Sequence, residues 1–366
     1  MTRAAVLRTP NQPLTIEDIE VDAPKAGEVR IRLSAAGLCH SDVGLMEGKF
    51  PIALPAVPGH EGAGIVESVG EGVTRVVAGD HVILSPIPQC GQCFWCRRGQ
   101  PTQCEVRMLA PVAGGLLDGT SRYRSASGES ISQFCFSGTF SEVTVAPEMS
   151  VVKVPAGSNM VAASLVGCAV TTGVGAARNT ADIQPGDSVA VIGCGGVGLN
   201  VVQGAKLAGA GQIIAIDMVD LKLDLARKLG ATDVVNAAKD DVVEAVKKLT
   251  GGNGVDVAFD VTGFPTAVTQ MYEMTRRGGE MVLIGVGQPE SALATRPIQT
   301  TSKTLKGCCF GDAKVDEFFP LLLQEYVDGL LDIDTLISKQ ISLDEINAGF
   351  EDMEGGRVAR SVIVFD

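Results

Sequence analysis

Two groups of sulfur and nitrogen donors stand out in the sequence, and both are spaced for metal ligation. Cys90, Cys93, Cys96 and Cys104 put four thiols within 15 residues, three of them separated by two. Four thiolates so close in the chain can wrap one tetrahedral ion in a short loop. With every position filled by cysteine, such a zinc site is closed and structural. A reduced cysteine cluster or an iron–sulfur centre would use the same residues. The other group is open. Cys39 and His60 are a thiol and an imidazole of the kind that bind zinc, with Asp42 and Glu61 within three residues of them. Two ligands do not make a site. Cys168, in Leu165-Val166-Gly167-Cys168, either packs as a lone cysteine or completes a Cys2His set.

A third feature is rich in glycine. Asp187–Ile192 reads as an apolar strand running into Gly193-Cys194-Gly195-Gly196-Val197-Gly198, then into a helical pattern from Leu199 to Leu207. A second strand, Ile213–Ile216, ends at Asp217, 19 residues past Gly198. A lone GxGxxG is weak, but strand, turn, helix, strand and acid in this order are the context a dinucleotide fingerprint requires. The glycines let the backbone approach a pyrophosphate, and the helix N-terminus favours its charge. A carboxylate at 217 accepts from the adenine-ribose hydroxyls and repels a 2′-phosphate, which favours NAD over NADP. Lys222 either reaches the adenosine ribose or is a solvated helix lysine.

The elements around these groups differ in kind. Short runs such as Ala4–Leu7, Leu14–Ile16, Val29–Leu33, Ala63–Gly70 and His81–Leu84 make residues 1–86 β-rich. Cys39 and His60 then lie near strand ends, on a rigid scaffold. Residues 105–137 read as a long irregular segment, of the kind that is functional or covers something. In it, Phe134, Cys135 and Phe136 are core or line a pocket. From 187 onward, strands and helices alternate through 221–229, 233–235, 241–249, 255–259, 267–276 and 280–285, with 304–308 as a sixth strand. That alternation predicts an α/β, doubly wound parallel sheet. Helical periodicity returns at 315–330 and 343–353. The terminal strand 361–365 suits the β-rich first half, so the chain is expected to return there. Arg360, beside it, is a candidate cofactor-phosphate contact or an exposed arginine. The expected domains are 1–169 with 313–366, and 170–312.

Composition sets the broad class. The chain has 366 residues, 45% hydrophobic and 20% charged, with a net charge of −13. That suits a two-domain globular protein and argues against nucleic-acid or anionic-membrane partners. The first residues hold no signal-peptide core, and no window approaches a membrane span. A cytoplasmic location follows by default, and there the ten cysteines are ligands, packing groups or nucleophiles rather than a disulfide framework.

Several motifs agree on one family. GLCHSD at 37–42, GHEGAGIVESVGEGV at 59–73, PQCGQCFWC at 88–96, DGTSRY at 118–123, GCAVTTG at 167–173, GCGGVGL at 193–199 and LDEIN at 343–347 resemble the zinc-dependent medium-chain alcohol dehydrogenases over nearly the whole chain. The 105–137 segment, His40 and Ala294-Thr295-Arg296-Pro297 look most like the class III branch, the glutathione-dependent formaldehyde dehydrogenases. The resemblance implies a GroES-like catalytic domain beside a Rossmann domain, with NAD and two zinc ions per chain. It implies a catalytic zinc on Cys39, His60 and Cys168, a set known from alcohol dehydrogenases and not deduced from spacing. It gives Asp42 a hydrogen bond to His60, places Glu61 beside the zinc, and has Ser41 take the alcohol proton. It assigns NAD to His40, Lys222 and Arg360, and to Thr172 and Val286, besides the glycine turn and Asp217. The reaction implied is hydride transfer between a zinc-bound alcohol or aldehyde and the nicotinamide, in a homo-oligomer, a dimer being favoured.

The departures are specific. Gly44 stands where animal members carry a relay histidine. Met108 stands where class III members carry the arginine that binds the glutathione carboxylate, with Arg107 one residue early. Pro86 replaces an aromatic pocket wall. The expected activity is an NAD-dependent primary alcohol dehydrogenase or aldehyde reductase. A thiol-adduct formaldehyde dehydrogenase is the alternative, and a non-catalytic NAD- or zinc-binding protein is a third reading.

Overall fold

The computed structural model describes residues 1–109, 114–287 and 290–366. Two compact units divide the chain. The first is Met1–Cys168, Lys314–Gly329 and Ile337–Asp366; the second is Ala169–Ala313 and Leu330–Leu336. Leu330–Leu336 goes with the second unit, where the sequence reading kept it with the first. Gln203 ties it there: its Oε1 accepts from the Asp332 amide at 2.8 Å, and its Nε2 donates to the Asp332 carbonyl at 3.3 Å.

In the first unit the central strand is Glu28–Gly37. Glu61–Val69 runs antiparallel on one side with Gly37 opposite Glu61, and Arg360–Val364 runs antiparallel on the other with Val362 opposite Gly37. The terminal strand thus returns to the β-rich unit. Val143–Pro147 also pairs with the central strand, and His81–Leu84, Val151–Val154 and Ile337–Ile341 complete the sheet. A smaller sheet orders Thr2–Val6, Thr15–Val21, Tyr123–Ser125, Ser130–Gln133 and Ala56–Val57. Val29, Ile31, Leu33, Val66, Val82 and Leu84 alternate inward from the larger sheet and form its core.

The 105–137 segment holds more regular structure than its polarity suggested. Residues 110–113 lie outside the described ones. Glu105–Leu109 is a helix, and Tyr123–Ser125 and Ser130–Gln133 form a hairpin turned at Gly128, φ +86°. Arg122, 1% exposed, anchors this region. Its Nε and Nη2 grip both oxygens of buried Glu28 at 2.8 and 2.5 Å, and Nη2 also reaches Asp118 at 2.9 Å. Removing one partner of a buried ion pair leaves the other charge uncompensated. Arg122→Met is therefore expected to lower unfolding stability by about 3–5 kcal/mol, read from the urea midpoint. A shift below about 1 kcal/mol would mean that Glu28 finds water or another partner.

The second unit carries six parallel strands in the spatial order Asp233–Asn236, Gln212–Asp217, Ser188–Ile192, Val255–Asp260, Thr275–Leu283 and Thr304–Gly307. This is the doubly wound order, with its switch point between the third and fourth strands of that list. Helix Pro265–Met274 stops short of the expected 276, because Thr275 already pairs with Val255 and opens the fifth strand. One helical run, Met160–Thr180, is long and apolar enough to cross a membrane by length and composition, contrary to the sequence reading. Of its most apolar window, 83% is buried inside the protein, as a core helix would be.

Candidate functional site

The first donor group is assembled by two strand ends. Cys39 follows the strand Glu28–Gly37 and is the N-cap of helix His40–Met46; His60 immediately precedes the strand Glu61–Val69. Because Gly37 and Glu61 are opposed in the ladder, Cys39 and His60 are neighbours although 21 residues apart. Cys168 comes from the π-helical segment Val166–Val170, a wide turn of the kind often found at functional sites. Gly167 lets it approach, since a Cβ there would lie 2.9 Å from the Leu84 carbonyl oxygen. One donor atom from each of Cys39, His60, Glu61 and Cys168 lies within 4.8 Å of all the others.

Asp42, fully buried, orders this cluster. Its Oδ2 accepts from the Cys39 amide at 3.1 Å, and its Oδ1 accepts from the Gly59 amide at 3.0 Å and faces His60 Nδ1 at 3.1 Å. A hydrogen on Nδ1 donated to the carboxylate leaves the Nε2 lone pair free to ligate. Glu61 Oε1 accepts from Arg360 Nη2, both residues being buried. Arg360 is therefore not an exposed arginine. Gly37 makes the pair possible: a Cβ at 37 would lie 2.3 Å from Glu61 Oε2.

The titrating groups of this cluster act on one another. The hydrogen bond from Cys168 holds the Cys39 thiol well below the usual range, while that same bond and burial raise Cys168. Burial works against charge on His60, yet Asp42 and the sulfur of Cys168 raise its affinity for a proton. Burial pushes Glu61 up to about 7 despite the opposing Arg360 charge. Zinc suits this donor set. Two thiols and an imidazole are its preferred ligands, and Glu61 Oε2 is buried with no hydrogen-bond partner among the described residues.

Phe134 meets the His60 ring edge-on at 5.7 Å and the Phe50 ring at 5.6 Å. The backbone turn that holds it is left-handed at Cys135 and Phe136, φ 50° and 60°. Gly44 leaves no side chain between helix and ring; a Cβ there would touch Phe50 Cε2 at 3.0 Å. Ser41 is half-buried and His40 exposed, on the first turn of the helix.

Cys90, Cys93, Cys96 and Cys104 also converge, with donor sulfurs mutually within 4.8 Å. The Cys90 amide points at Cys104 Sγ and the Cys93 amide at Cys90 Sγ, each at 3.4 Å. Backbone hydrogen bonds pull Cys93 down to about 6, while burial drives Cys96 up to about 12. Four such thiols with amides aimed at sulfur fit a closed tetrahedral zinc site. Nearby, Arg107 donates to the Thr102 carbonyl at 2.9 Å, and Met108 is 65% exposed.

In the second unit the glycine turn has the shape its sequence implied. Gly193 adopts φ +93°, Gly195 caps helix Gly196–Leu207, and a Cβ at Gly198 would lie 1.8 Å from the Gly193 carbonyl oxygen. Only glycine fits there, so the helix can start against the strand. Val197 lies in the first helical turn, and Gly173, beside Thr172, packs against its carbonyl. Asp217 accepts from the Cys194 amide at 2.8 Å and the Val219 amide at 3.0 Å. Lys222 lies in the following helix, Asp220–Leu229, and Val286 is 86% exposed. The Glu61–Arg360 pair is what sequence reasoning missed; glycine at 37, opposite a glutamate, was its one signal.

Family models agree with this geometry. The alcohol dehydrogenase GroES-like domain matches residues 25–156, and the zinc-binding dehydrogenase domain matches 196–326. Among curated proteins, the S-(hydroxymethyl)glutathione dehydrogenase of Saccharomyces cerevisiae is 42% identical, covering 99% of this chain and 96% of its own length. The protein of that name from Escherichia coli O157:H7 is 42% identical, with 99% of each covered. Among solved structures, an alcohol dehydrogenase zinc-binding domain protein from Burkholderia ambifaria superposes with a TM-score of 0.95 at 34% identity. Benzyl alcohol dehydrogenase from Acinetobacter calcoaceticus gives 0.94 at 31%. Each of these two covers 100% of this chain and 99% of its own. With the ligand clusters and the switch-point turn already in place, relatives this similar along the full length settle the matter: the chain belongs to the zinc-binding alcohol dehydrogenase family, oxidoreductases that use zinc and NAD.

Proposed function

We propose that this enzyme oxidises a primary alcohol, or reduces the matching aldehyde, at a centre built from Cys39, His60 and Cys168. The observation that carries this reading is the convergence of those three donors with Glu61 within 4.8 Å. Zinc held there would supply Lewis acidity, and NAD the hydride acceptor. The protein's own groups do the rest. Asp42 holds His60 in the tautomer that ligates through Nε2. Ser41 Oγ takes the substrate hydroxyl proton, and with glycine at 44 the onward path runs through the cofactor ribose and water, with His40 at hand. Phe134 and Phe50 form an apolar wall beside the His60 ring.

For the cofactor, Gly193, Gly195, Gly196, Val197 and Gly198 cradle the pyrophosphate, Asp217 and Lys222 face the adenosine ribose, and Thr172 and Val286 pack on the nicotinamide. Arg360 contributes a phosphate contact or neutralises Glu61. Cys90, Cys93, Cys96 and Cys104 hold the second zinc. On this reading residues 1–169 and 313–366 are the catalytic domain and 170–312 the NAD-binding domain. Asp217→Asn removes the charge that repels a 2′-phosphate, so the ratio of kcat/KM for NADP to that for NAD should rise by about tenfold or more. An unchanged ratio would move specificity to another residue.

A second reading, a thiol-adduct formaldehyde dehydrogenase, is favoured by the names of the 42% relatives. Against it, Arg107 is turned to the Thr102 carbonyl and exposed Met108 offers no charge to a glutathione carboxylate. Turnover of simple alcohols and of formaldehyde, with and without glutathione, decides between the two. Activity confined to the thiol adduct would replace the first reading with the second.

We place the enzyme in the cytoplasm as a homodimer. None of the ten cysteines is paired in a disulfide, as a reducing compartment permits. The strand Thr304–Gly307 ends its sheet with Leu305 41% exposed, an edge that a second chain can cover.

A further inference from the structure

Asp260 ends the strand Val255–Asp260 at the switch point of the second sheet, fully buried, in Asp260-Val261-Thr262-Gly263. Its Oδ1 accepts from the Thr262 amide at 2.9 Å and the Thr262 hydroxyl at 2.7 Å; its Oδ2 accepts from the Gly263 amide at 3.0 Å. Its carbonyl accepts from the Ile284 and Gly285 amides at 2.9 and 3.1 Å. One residue thus ties together the turns that leave two neighbouring strands. A carboxylate at a strand end, followed two and three residues later by Thr and Gly, is an Asx-type turn.

That turn touches both neighbours. Towards the glycine-rich turn, a Cβ at Gly193 would lie 2.6 Å from Thr262 Cγ2. Towards the next strand, a Cβ at Gly285 would lie 2.3 Å from the Gly263 amide nitrogen, and one at Gly287 would lie 2.0 Å from the Gly263 carbonyl oxygen. Backbone therefore packs on backbone across Gly263, Gly285 and Gly287. Between the last two, Val286 projects with 86% of its surface exposed. A dinucleotide spans the switch point with one mononucleotide on each side. Asp217 marks the adenosine side, so the clamped segment lies on the other.

We propose that Asp260 is a positioning residue for the nicotinamide half of the cofactor: it fixes the Thr262–Gly263 turn, which fixes the Gly285–Gly287 segment. This rests on the NAD reading above. Towards the adenosine side the turn meets the Gly193 turn through Thr262 and the end of its neighbouring strand through the Val261 amide, which donates to the Ile192 carbonyl at 3.0 Å.

The test compares two ligands on the zinc-loaded enzyme by calorimetry: NADH, and ADP-ribose, which lacks the nicotinamide. Asp260→Ala should weaken NADH by about tenfold or more and leave ADP-ribose within about twofold. Asp260→Asn, which keeps an acceptor for the Thr262 donors, should fall between. Gly287→Ala drives a Cβ at the Gly263 carbonyl without touching the carboxylate, and should weaken NADH selectively too. If Asp260→Ala does not fold, the same comparison on Gly287→Ala and Asp260→Asn decides. Equal loss of both ligands, or unchanged NADH affinity in folded variants, overturns the proposal. Wild-type enzyme that binds neither ligand overturns the cofactor reading itself, which is a different result.

Discussion

Cys168→Ala is expected to remove one of the two zinc ions per chain and nearly all turnover. The alanine deletes one of two sulfur donors from a cluster in which one atom each of Cys39, His60, Glu61 and Cys168 lies within 4.8 Å. The metal's contribution to stabilising developing charge is several kcal/mol, and each 1.36 kcal/mol is tenfold in rate, so kcat should fall by about a thousandfold or more. Glu61 can substitute only partly, because its unpartnered Oε2 is a harder donor than the lost sulfur and the carboxylate's charge is already paired with Arg360. NADH binding, which the proposal above assigns to the glycine turn of the second unit, should survive. Metal analysis and steady-state kinetics check both halves. A variant with two zinc ions and wild-type turnover would remove Cys168 from the site.

Cys104→Ser should cost stability rather than chemistry. Cys104 is fully buried, and its sulfur accepts from the Cys90 amide at 3.4 Å. Metal binding at such a site is folding free energy, and the loss belongs with the largest single-residue effects, above about 4 kcal/mol. Zinc should fall to one per chain, the urea midpoint should drop, and the fraction that remains folded should keep its kcat. An unchanged midpoint at one zinc per chain would mean that the lobe is held by its other contacts, such as the Arg107 to Thr102 bond.

Much of this was legible because it is local. The cysteines at 90, 93, 96 and 104 lie in one loop, and the strand–turn–helix around Gly193 to Gly198 declares itself within 20 residues. Cys39, His60 and Cys168 could be read as candidates, but not as partners without the family pattern. Their meeting depends on a ladder register and on a π turn, neither of which has a short-range signature. The fifth strand was read late because Arg276-Arg277-Gly278-Gly279-Glu280 lacks apolar alternation; it extends because its parallel neighbour begins at Val255 opposite Thr275. The hairpin at 123–133 was hidden in the same way, by serines and Arg124 on a strand whose inner face is only two or three residues long.

The return of the last strand has a consequence for how the chain is made. Glu61 and its buried cation Arg360 are 299 residues apart. During synthesis at about 5–20 residues per second, roughly 15–60 s pass between the two. Over that interval the strand Glu28–Gly37 has a bare edge where Arg360–Val364 will pair, and the Glu61 carboxylate has no counter-charge. The continuous stretch Ala169–Ala313 is complete well before then. The nucleotide unit of the nascent protein is therefore complete while the metal unit is not, and the unpaired edge that waits for the last strand is short, Ala35–Gly37.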